Sequence, residues 1–207
     1  MKAFTQHQGV AAAILRINID TDTIIPSREM KRVSKEGLGE GLFASLRYQQ
    51  PGSREPNPDF ILNQADYANT TILLAGDNFG CGSSREHAVW ALLEYGIRCI
   101  IAPGFGSIFY QNCIRNGILP IVLDDASIKK IAALTSSDPQ QQQLHIDLEQ
   151  KQISSPEGQV YPFNLEDSHR EMLLKGLDSI ALTLTMHEQI EQFESKDRQL
   201  RSWAYIN

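Results

Sequence analysis

The chain has 207 residues, a formal net charge of -6 at pH 7 and a pI near 5.4. This length suffices for one large domain with a full hydrophobic core. The dispersed lysines and arginines, together with the acidic balance, argue against a nucleic-acid-binding surface. No apolar stretch approaches the roughly 20 residues of a membrane span, and the opening residues, MKAFTQHQ, lack the hydrophobic segment of a signal peptide. We therefore expect a soluble, cytoplasmic protein.

The first predicted strand covers residues 11–19 and runs into the polar segment DTDT, which is followed by Ile24, Ile25 and Pro26. Such a segment ahead of a proline is typical of a loop. Glycines, prolines and polar residues then dominate residues 34–58, which we expect to form a mobile loop with a short helix near residues 42–48.

The most informative segment is residues 76–90, GDNFGCGSSREHAVW. The apolar residues 72–75 before it predict a buried strand, and a helical pattern from Ser84 to about Tyr95 follows it. Gly76, Gly80 and Gly82 are expected to adopt positive φ angles and to admit a ligand. With Ser83 or Ser84 as the N-cap and Arg85 in the first turn, the segment predicts an anion-binding site.

Residues 76–90 were also compared with two nucleotide-binding motifs, with a turn that binds no ligand and with a Ser–His dyad. A Walker loop would need a lysine before the serine, and a dinucleotide fingerprint would need a third glycine where Arg85 stands. A glycine-rich turn with a capping serine and no ligand remains an alternative. His87 follows Ser83 by four residues, as a Ser–His dyad would require, but no orienting acid is identifiable.

Regular alternation follows the glycine-rich segment: strand 99–102, helix 107–116, strand 118–123 and a helix from residue 124 to about 134. Alternation of this kind predicts parallel strands with crossover helices. Residues 144–148, 151–153 and 160–163 are expected to form antiparallel strands. Helices are predicted over residues 165–175 and from the cap Asp178 to about residue 193. One α/β domain over residues 1–207, with a mainly parallel core sheet and an added β region, is the simplest interpretation.

The three cysteines have no C-x-x-C or mixed Cys/His ligand spacing, so we expect no metal site held by this chain alone. Cys99 lies in a strand pattern and Cys113 in a helical pattern, and both are expected to be core thiols. Cys81 lies between two glycines, and the hypothesis of a transferase or hydrolase that uses this cysteine stays open.

Two segments in this order, NIDTDTIIP at residues 18–26 and GDNFGCGSSREHA at residues 76–88, resemble the small subunit of 3-isopropylmalate dehydratase. That subunit is similar to the swivelling domain of aconitase, a three-layer β/β/α fold. Further matches follow at residues 101–103, 108–112, 117–120, 176–178 and 181–183, so the resemblance covers nearly the whole chain.

The resemblance implies a hydro-lyase that moves a hydroxyl group between adjacent carbons of a 2-hydroxy diacid. It also implies that a partner large subunit carries a [4Fe–4S] cluster and that this chain binds none. Ser83 corresponds to the family's base, which acts as an alkoxide, and Asp22 to an aspartate that orients the catalytic groups. Ser84 and Arg85 would bind a substrate carboxylate, whereas Asp20 and Thr21 are expected to shape the loop.

The loop after Pro26 is expected to approach the substrate's side group, with Arg28 and Lys31 as candidate carboxylate ligands. Glu29 departs from the aromatic residue common in the family. The resemblance implies 2-isopropylmalate as the substrate, as in leucine biosynthesis, whereas the acidic Glu29 suggests a different side group and a smaller diacid such as 2-methylmalate as the alternative. A dicarboxylate-binding module without catalysis also remains open at this point.

Overall fold

The computed structural model describes residues 1–30 and 36–205. Seven strands form one sheet, and their bounds in chain order are β1 Gln6–Ile14, β2 Thr70–Ala75, β3 Cys99–Ala102, β4 Leu119–Val122, β5 Leu144–Asp147, β6 Gln152–Ser154 and β7 Val160–Pro162. The helices are α1 Thr21–Ile24, α2 Ala44–Arg47, α3 His87–Tyr95, α4 Ser107–Asn116, α5 Asp125–Thr135, α6 Asp167–Lys175, α7 Ser179–Leu184 and α8 His187–Leu200. Short 3₁₀ turns occupy Ser27–Met30, Gly39–Gly41, Ile61–Asn63, Ala65–Tyr67 and Ser202–Ala204.

Strand β1 joins two differently built halves of the sheet, whose order is β4-β3-β2-β1-β5-β6-β7. Its second part pairs in parallel with β2, and β3 and β4 continue that parallel half. Its first part pairs antiparallel with β5, and β6 and β7 continue the antiparallel half. The register of β1 against β2 shifts between Val10 and Ala11, close to Gly9, which is the last residue that pairs with β5. The predicted parallel core and the added antiparallel region are both present.

Two hydrophobic cores lie on opposite faces of the parallel strands. One contains Ile72, Leu74 and Ile101 and packs against the antiparallel strands, α5 and α6. The other contains Leu73 and Ile100 and packs against α3, α4 and the loops near the amino terminus. Adjacent residues of β2 enter different cores because side chains alternate along a strand. The result is an antiparallel β layer, a parallel β layer and a helical layer.

Strand β1 and the final helix differ from their predicted bounds. Strand β1 ends at Ile14 and begins at Gln6, earlier than the predicted span of 11–19, because polar residues 6–9 pair with β5. The final helix is interrupted between α7 and α8. Thr185 donates its hydroxyl to the carbonyl of Leu182 at 2.6 Å, a side-chain bond of the kind that bends helices.

The described part of the predicted mobile loop, residues 36–58, contains α2 near its predicted position. Leu38, Leu42 and Phe43 in this segment are buried in the second core. Glu94 of α3 accepts hydrogen bonds from the backbone N–H groups of Gly37 and Gly39 at 2.6 and 2.7 Å. These contacts attach the first part of the segment to the helical layer, and its mobility stays a prediction.

Helices α7 and α8 lie largely outside both cores. Ile180, Phe193 and Leu200 are 71%, 61% and 81% exposed.

The helices within residues 1–30 and 36–205 include none with the length and apolar character that a membrane span requires.

Candidate active site

Three loops meet where the parallel strands β1, β2 and β3 end. The N–H of Gly80 donates to the carbonyl of Ile19 at 2.7 Å, and the N–H of Thr21 donates to the carbonyl of Cys81 at 3.0 Å. On the other side, the N–H of Phe79 donates to the carbonyl of Gly104 at 3.0 Å. The glycine-rich segment is therefore held between the loops that follow β1 and β3. The carboxyl edge of a parallel sheet is where ligands bind in folds of this type.

The glycines of this segment serve two different needs. Gly80 and Gly82 have φ angles of +72° and +93°, as predicted, and a Cβ on Gly80 would lie 2.1 Å from the ring of Phe109. Gly76 does not adopt a positive φ, so that prediction was wrong for this residue. It is required for close approach instead, because its Cβ would lie 2.6 Å from the carbonyl of Arg16.

Ser83 is exposed at the centre of this arrangement, and its hydroxyl lies 3.1 Å from the hydroxyl of Thr21. Thr21 itself is only 2% exposed, and its hydroxyl also lies 3.3 Å from the Ser83 carbonyl oxygen. A buried hydroxyl that contacts the proposed base is a functional candidate that the sequence reasoning missed. The available signal was the polar Thr21 between two aspartates, which we had interpreted as loop-forming.

The helix predicted from Ser84 begins later, at His87 in α3. Glu86 occupies the N-cap position, so neither Ser83 nor Ser84 caps the helix, and Arg85 precedes its first turn. The hydroxyl of Ser83 is directed to Thr21 instead, which is a tertiary contact that local capping rules do not include. Positive charge at this site consequently comes from Arg85 more than from the helix terminus.

Arg85 forms an ion pair with Asp22, through its Nη1 and the Oδ1 of the aspartate. The hydrogen bond from Arg85 is the main reason that the pKa of Asp22 lies below its usual value, and the Ser27 hydroxyl, which donates to the same oxygen at 3.1 Å, lowers it further. Asp22 lies in α1 and Arg85 in the glycine-rich segment, so the fold brings together two residues that the sequence singled out separately. Because one guanidinium nitrogen binds Asp22, the others remain able to bind a carboxylate.

Arg28 lies in the 3₁₀ turn beyond Pro26 and donates from Nη2 to the hydroxyl of Ser45 at 3.1 Å. Its Nε lies 3.3 Å from the carboxylate of Glu29. The other oxygen of Glu29 lies 2.7 Å from Nη2 of Arg54. Glu29 is thus engaged by two arginines. Lys31, the remaining candidate, lies outside the described residues.

The hypothesis of a Ser83–His87 dyad gains no support from the geometry. The hypothesis of a nucleophilic Cys81, which is partly exposed, stays a prediction. His87 packs its ring against Trp90, with centroids 4.8 Å apart, while the Ser83 hydroxyl bonds to Thr21. Cys99 and Cys113 are buried core thiols, as predicted, and burial raises the pKa of both. Among residues 1–30 and 36–205, no three His, Cys, Asp or Glu side chains are grouped to hold a metal ion.

Comparison with known proteins identifies relatives of the chain. Residues 1–126 match the aconitase C-terminal domain family. The chain is 56% identical to the 3-isopropylmalate dehydratase small subunit of Cupriavidus necator over 207 residues, covering 100% of both chains. It is 50% identical to the protein of that name from Rhodospirillum centenum, covering 99% of each chain.

A solved structure extends the comparison to the fold. The crystal structure of 3-isopropylmalate dehydratase from Methanocaldococcus jannaschii matches with a TM-score of 0.63 at 24% identity, covering 91% of this chain and 99% of that one. This likeness confirms the predicted α/β fold class. With the full-length identity to the curated relatives, it follows that the chain belongs to the family of 3-isopropylmalate dehydratase small subunits, in the aconitase superfamily of hydro-lyases.

Proposed function

We propose that this chain is the small subunit of an enzyme that interconverts 2-isopropylmalate and 3-isopropylmalate by dehydration and rehydration. The observation that carries the proposal is the convergence of the exposed Ser83, the buried Thr21, and the ion pair of Arg85 and Asp22 at the carboxyl edge of the parallel strands. Full-length relatives with the dehydratase name support the reaction class.

Ser83 is proposed to remove the proton from the substrate carbon next to the one that loses its hydroxyl group. A serine hydroxyl is a very weak base in water, so its anion must be stabilised before it can act. The Thr21 hydroxyl, at 3.1 Å, is placed to donate to the Ser83 oxygen as it gains negative charge. Because Thr21 is buried, this donor is fixed in place and needs little reorganisation during the reaction.

Arg85 and Ser84 are proposed to bind one substrate carboxylate beside Ser83. Asp22 holds the guanidinium of Arg85 from the other side and so orients its free edge. The positive charge of Arg85 also stabilises the Ser83 anion, which lies two residues away in the sequence. Asp22 therefore acts on the substrate through Arg85.

A partner large subunit is proposed to complete the site and to carry the [4Fe–4S] cluster. Bound there, the cluster would supply a Lewis acid for the leaving hydroxyl group. The donor set of this chain does not suit that role, since Cys99 and Cys113 are buried in different cores and Cys81 lies in the glycine-rich loop. What this chain contributes is proton transfer and carboxylate binding.

The proposed substrate is the isopropyl-substituted diacid. Glu29 had suggested a different side group, but its carboxylate is engaged by Arg28 and Arg54 and only 9% of its side chain is exposed. A carboxylate so enclosed does not by itself repel an apolar substituent. Turnover of 2-methylmalate above that of 2-isopropylmalate by the reconstituted complex would contradict this choice of substrate.

The test of the base is Ser83→Ala in the complex with the large subunit. We expect kcat to fall by roughly 10²–10³-fold or more, since removal of a single preorganised catalytic interaction already costs about that much. Ser127→Ala, which removes a partly exposed serine hydroxyl at the start of α5, serves as the control and should leave kcat unchanged. Near-normal turnover by Ser83→Ala would show that Ser83 is not the base.

A further inference from the structure

The carboxylate of Glu29 is enclosed although the turn that carries it lies at the surface. One oxygen faces Nε of Arg28 at 3.3 Å and the other faces Nη2 of Arg54 at 2.7 Å. Gly41 packs against the Glu29 side chain, since a Cβ on Gly41 would lie 2.7 Å from the Cβ of Glu29. A carboxylate removed from water in this way depends on its cationic partners.

Arg54 reaches Glu29 from a separate loop that has its own supports. Tyr48 and Pro56 form an antiparallel bridge, and the N–H of Gln49 donates to the carbonyl of Glu55 at 3.0 Å. The guanidinium of Arg54 lies over the ring of Tyr48, 5.0 Å from its centroid. Arg54 is therefore held by its loop in a position from which it can fix Glu29.

Arg28 lies at ion-pair distance from Glu29, although its Nε makes no hydrogen bond within the described residues, and its Nη2 donates to the hydroxyl of Ser45 in α2. Its Nε and Nη2 make these contacts, whereas 34% of its side chain is exposed. The exposed part lies on the turn that follows α1, the helix that contains Asp22. If either contact were lost, a side chain with as many rotamers as arginine would sample many positions.

We infer that the ion pair of Glu29 and Arg54 is a clasp that positions Arg28 and its turn for substrate binding. Arg54 is thus a positioning residue, which acts through Glu29 and has no contact with Ser83, Arg85 or Asp22 among its described interactions. The inference rests on the proposed function and on Arg28 as a carboxylate ligand, the role predicted for it from the sequence.

The experiment compares Arg54→Gln with wild type in the complex with the large subunit, using 2-isopropylmalate. We expect KM to rise about 5- to 20-fold with kcat changed less than about twofold, because substrate and transition state lose the same binding contact. Arg54→Lys, which keeps a cation able to reach Glu29, should restore most of the affinity. A KM equal to that of wild type, or a fall in kcat without a change in KM, would overturn the inference.

Arg201→Gln is the matched control, because Arg201 forms a similar ion pair with Asp197 at 2.6 Å, and the two side chains are 52% and 11% exposed. The corresponding values for Arg54 and Glu29 are 47% and 9%. Loss of this second pair, in the carboxyl-terminal helix α8, should leave KM unchanged. An equal rise in KM in both variants would overturn the clasp as a specific positioning device.

A second readout does not depend on catalysis. Trypsin cleavage after Arg28, followed by mass spectrometry, should be at least about fivefold faster in Arg54→Gln than in wild type and unchanged in Arg201→Gln, because local opening exposes the backbone. Equal cleavage in all three proteins would overturn the clasp. If cleavage after Arg28 is faster in Arg54→Gln but the wild-type complex does not convert 2-isopropylmalate, the proposed function is wrong, whereas the positioning of Arg28 by the Glu29–Arg54 ion pair is still supported.

Discussion

The Thr21 hydroxyl is buried and lies 3.1 Å from the Ser83 hydroxyl oxygen, and this contact gives a prediction about a single hydrogen-bond donor. Thr21→Val keeps the shape of the side chain but removes the donor. We expect kcat of the complex to fall about tenfold, in line with one hydrogen bond of about 1–1.5 kcal/mol. Thr21→Ser, which keeps the hydroxyl, should retain most of the activity, and equal rates for the two variants would contradict a donor role.

His7 gives a prediction about pH. Its Nε2 lies 2.7 Å from the Thr71 hydroxyl, and burial first, then Arg98 and Lys2, lower its pKa. The unfolded chain, in which histidine titrates near pH 6.5, therefore binds a proton more readily than the native protein. The free energy of unfolding should fall as pH decreases below about 6.5, until the native pKa is reached, and His7 should have no effect above about pH 7.5.

The measurement is urea unfolding at pH 7.5 and pH 5.5 for wild type and His7→Gln. The variant lacks the titrating ring, so it should lose less stability between these two pH values than wild type does. Parallel losses in the two proteins would show that His7 is not responsible for the pH dependence.

Local sequence rules identified most of the polar residues at the site but not all of their contacts. Ser83, Arg85 and Asp22 were singled out from motifs, and the structure brings them together. The role of Thr21 and the late start of α3 were missed for one physical reason. The Ser83 hydroxyl bonds to a residue 62 positions earlier, and capping rules consider only the nearest turn.

At the scale of elements, the glycine-rich loop depends on close packing against α4. Gly80→Ala would combine a φ of +72° with a Cβ 2.1 Å from the Phe109 ring. We expect a loss of about 2–4 kcal/mol in the free energy of unfolding, from backbone strain and overpacking together. Chemical denaturation of the isolated wild-type and Gly80→Ala chains measures this difference in the free energy of unfolding.

Gly158→Ala is the matched control for that substitution. Gly158 has a φ of +84°, but no atom lies within 4 Å of the Cβ position. This variant should therefore show only the strain of a positive φ, about 1 kcal/mol. Equal losses at the two sites would mean that the contact with Phe109 contributes nothing.

Elements with strong local signals were predicted with nearly correct bounds. Strand β3 and helix α4 are the clearest cases, since an apolar run and a helical period are each closed by a glycine or proline. Strand β1 was displaced because half of it is polar and is defined by pairing with β5, which a linear pattern does not reveal. Tertiary pairing outweighed local propensity there.

At the scale of the whole molecule, the carboxyl-terminal helix is separable from the cores. Asp197 bonds to Arg201 and Tyr205, partners that lie within the same terminal segment. Removal of residues 186–207 should therefore change the melting temperature by less than about 4 °C, which corresponds to about 1 kcal/mol or a little more at this size.

The control truncation removes residues 166–207 and with them α6, whose Met172 and Leu173 are 6% and 0% exposed in the first core. That shorter chain should fail to fold cooperatively. Differential scanning calorimetry distinguishes the two outcomes, and a large drop in melting temperature for the first truncation would show that α8 is part of the core.

Strand β1 also sets an order of events during synthesis. It is made first, yet its partners are Thr70–Ala75 and Leu144–Asp147, so its second edge is completed only after about two thirds of the chain exists. At a ribosomal rate of about 5–20 residues per second, the edge of β1 that pairs with β5 waits for roughly 7–30 s. Long-range pairing of this kind also slows folding. The yield of folded subunit should therefore depend on translation speed and on the availability of chaperones. It should depend less on the stability of the folded protein.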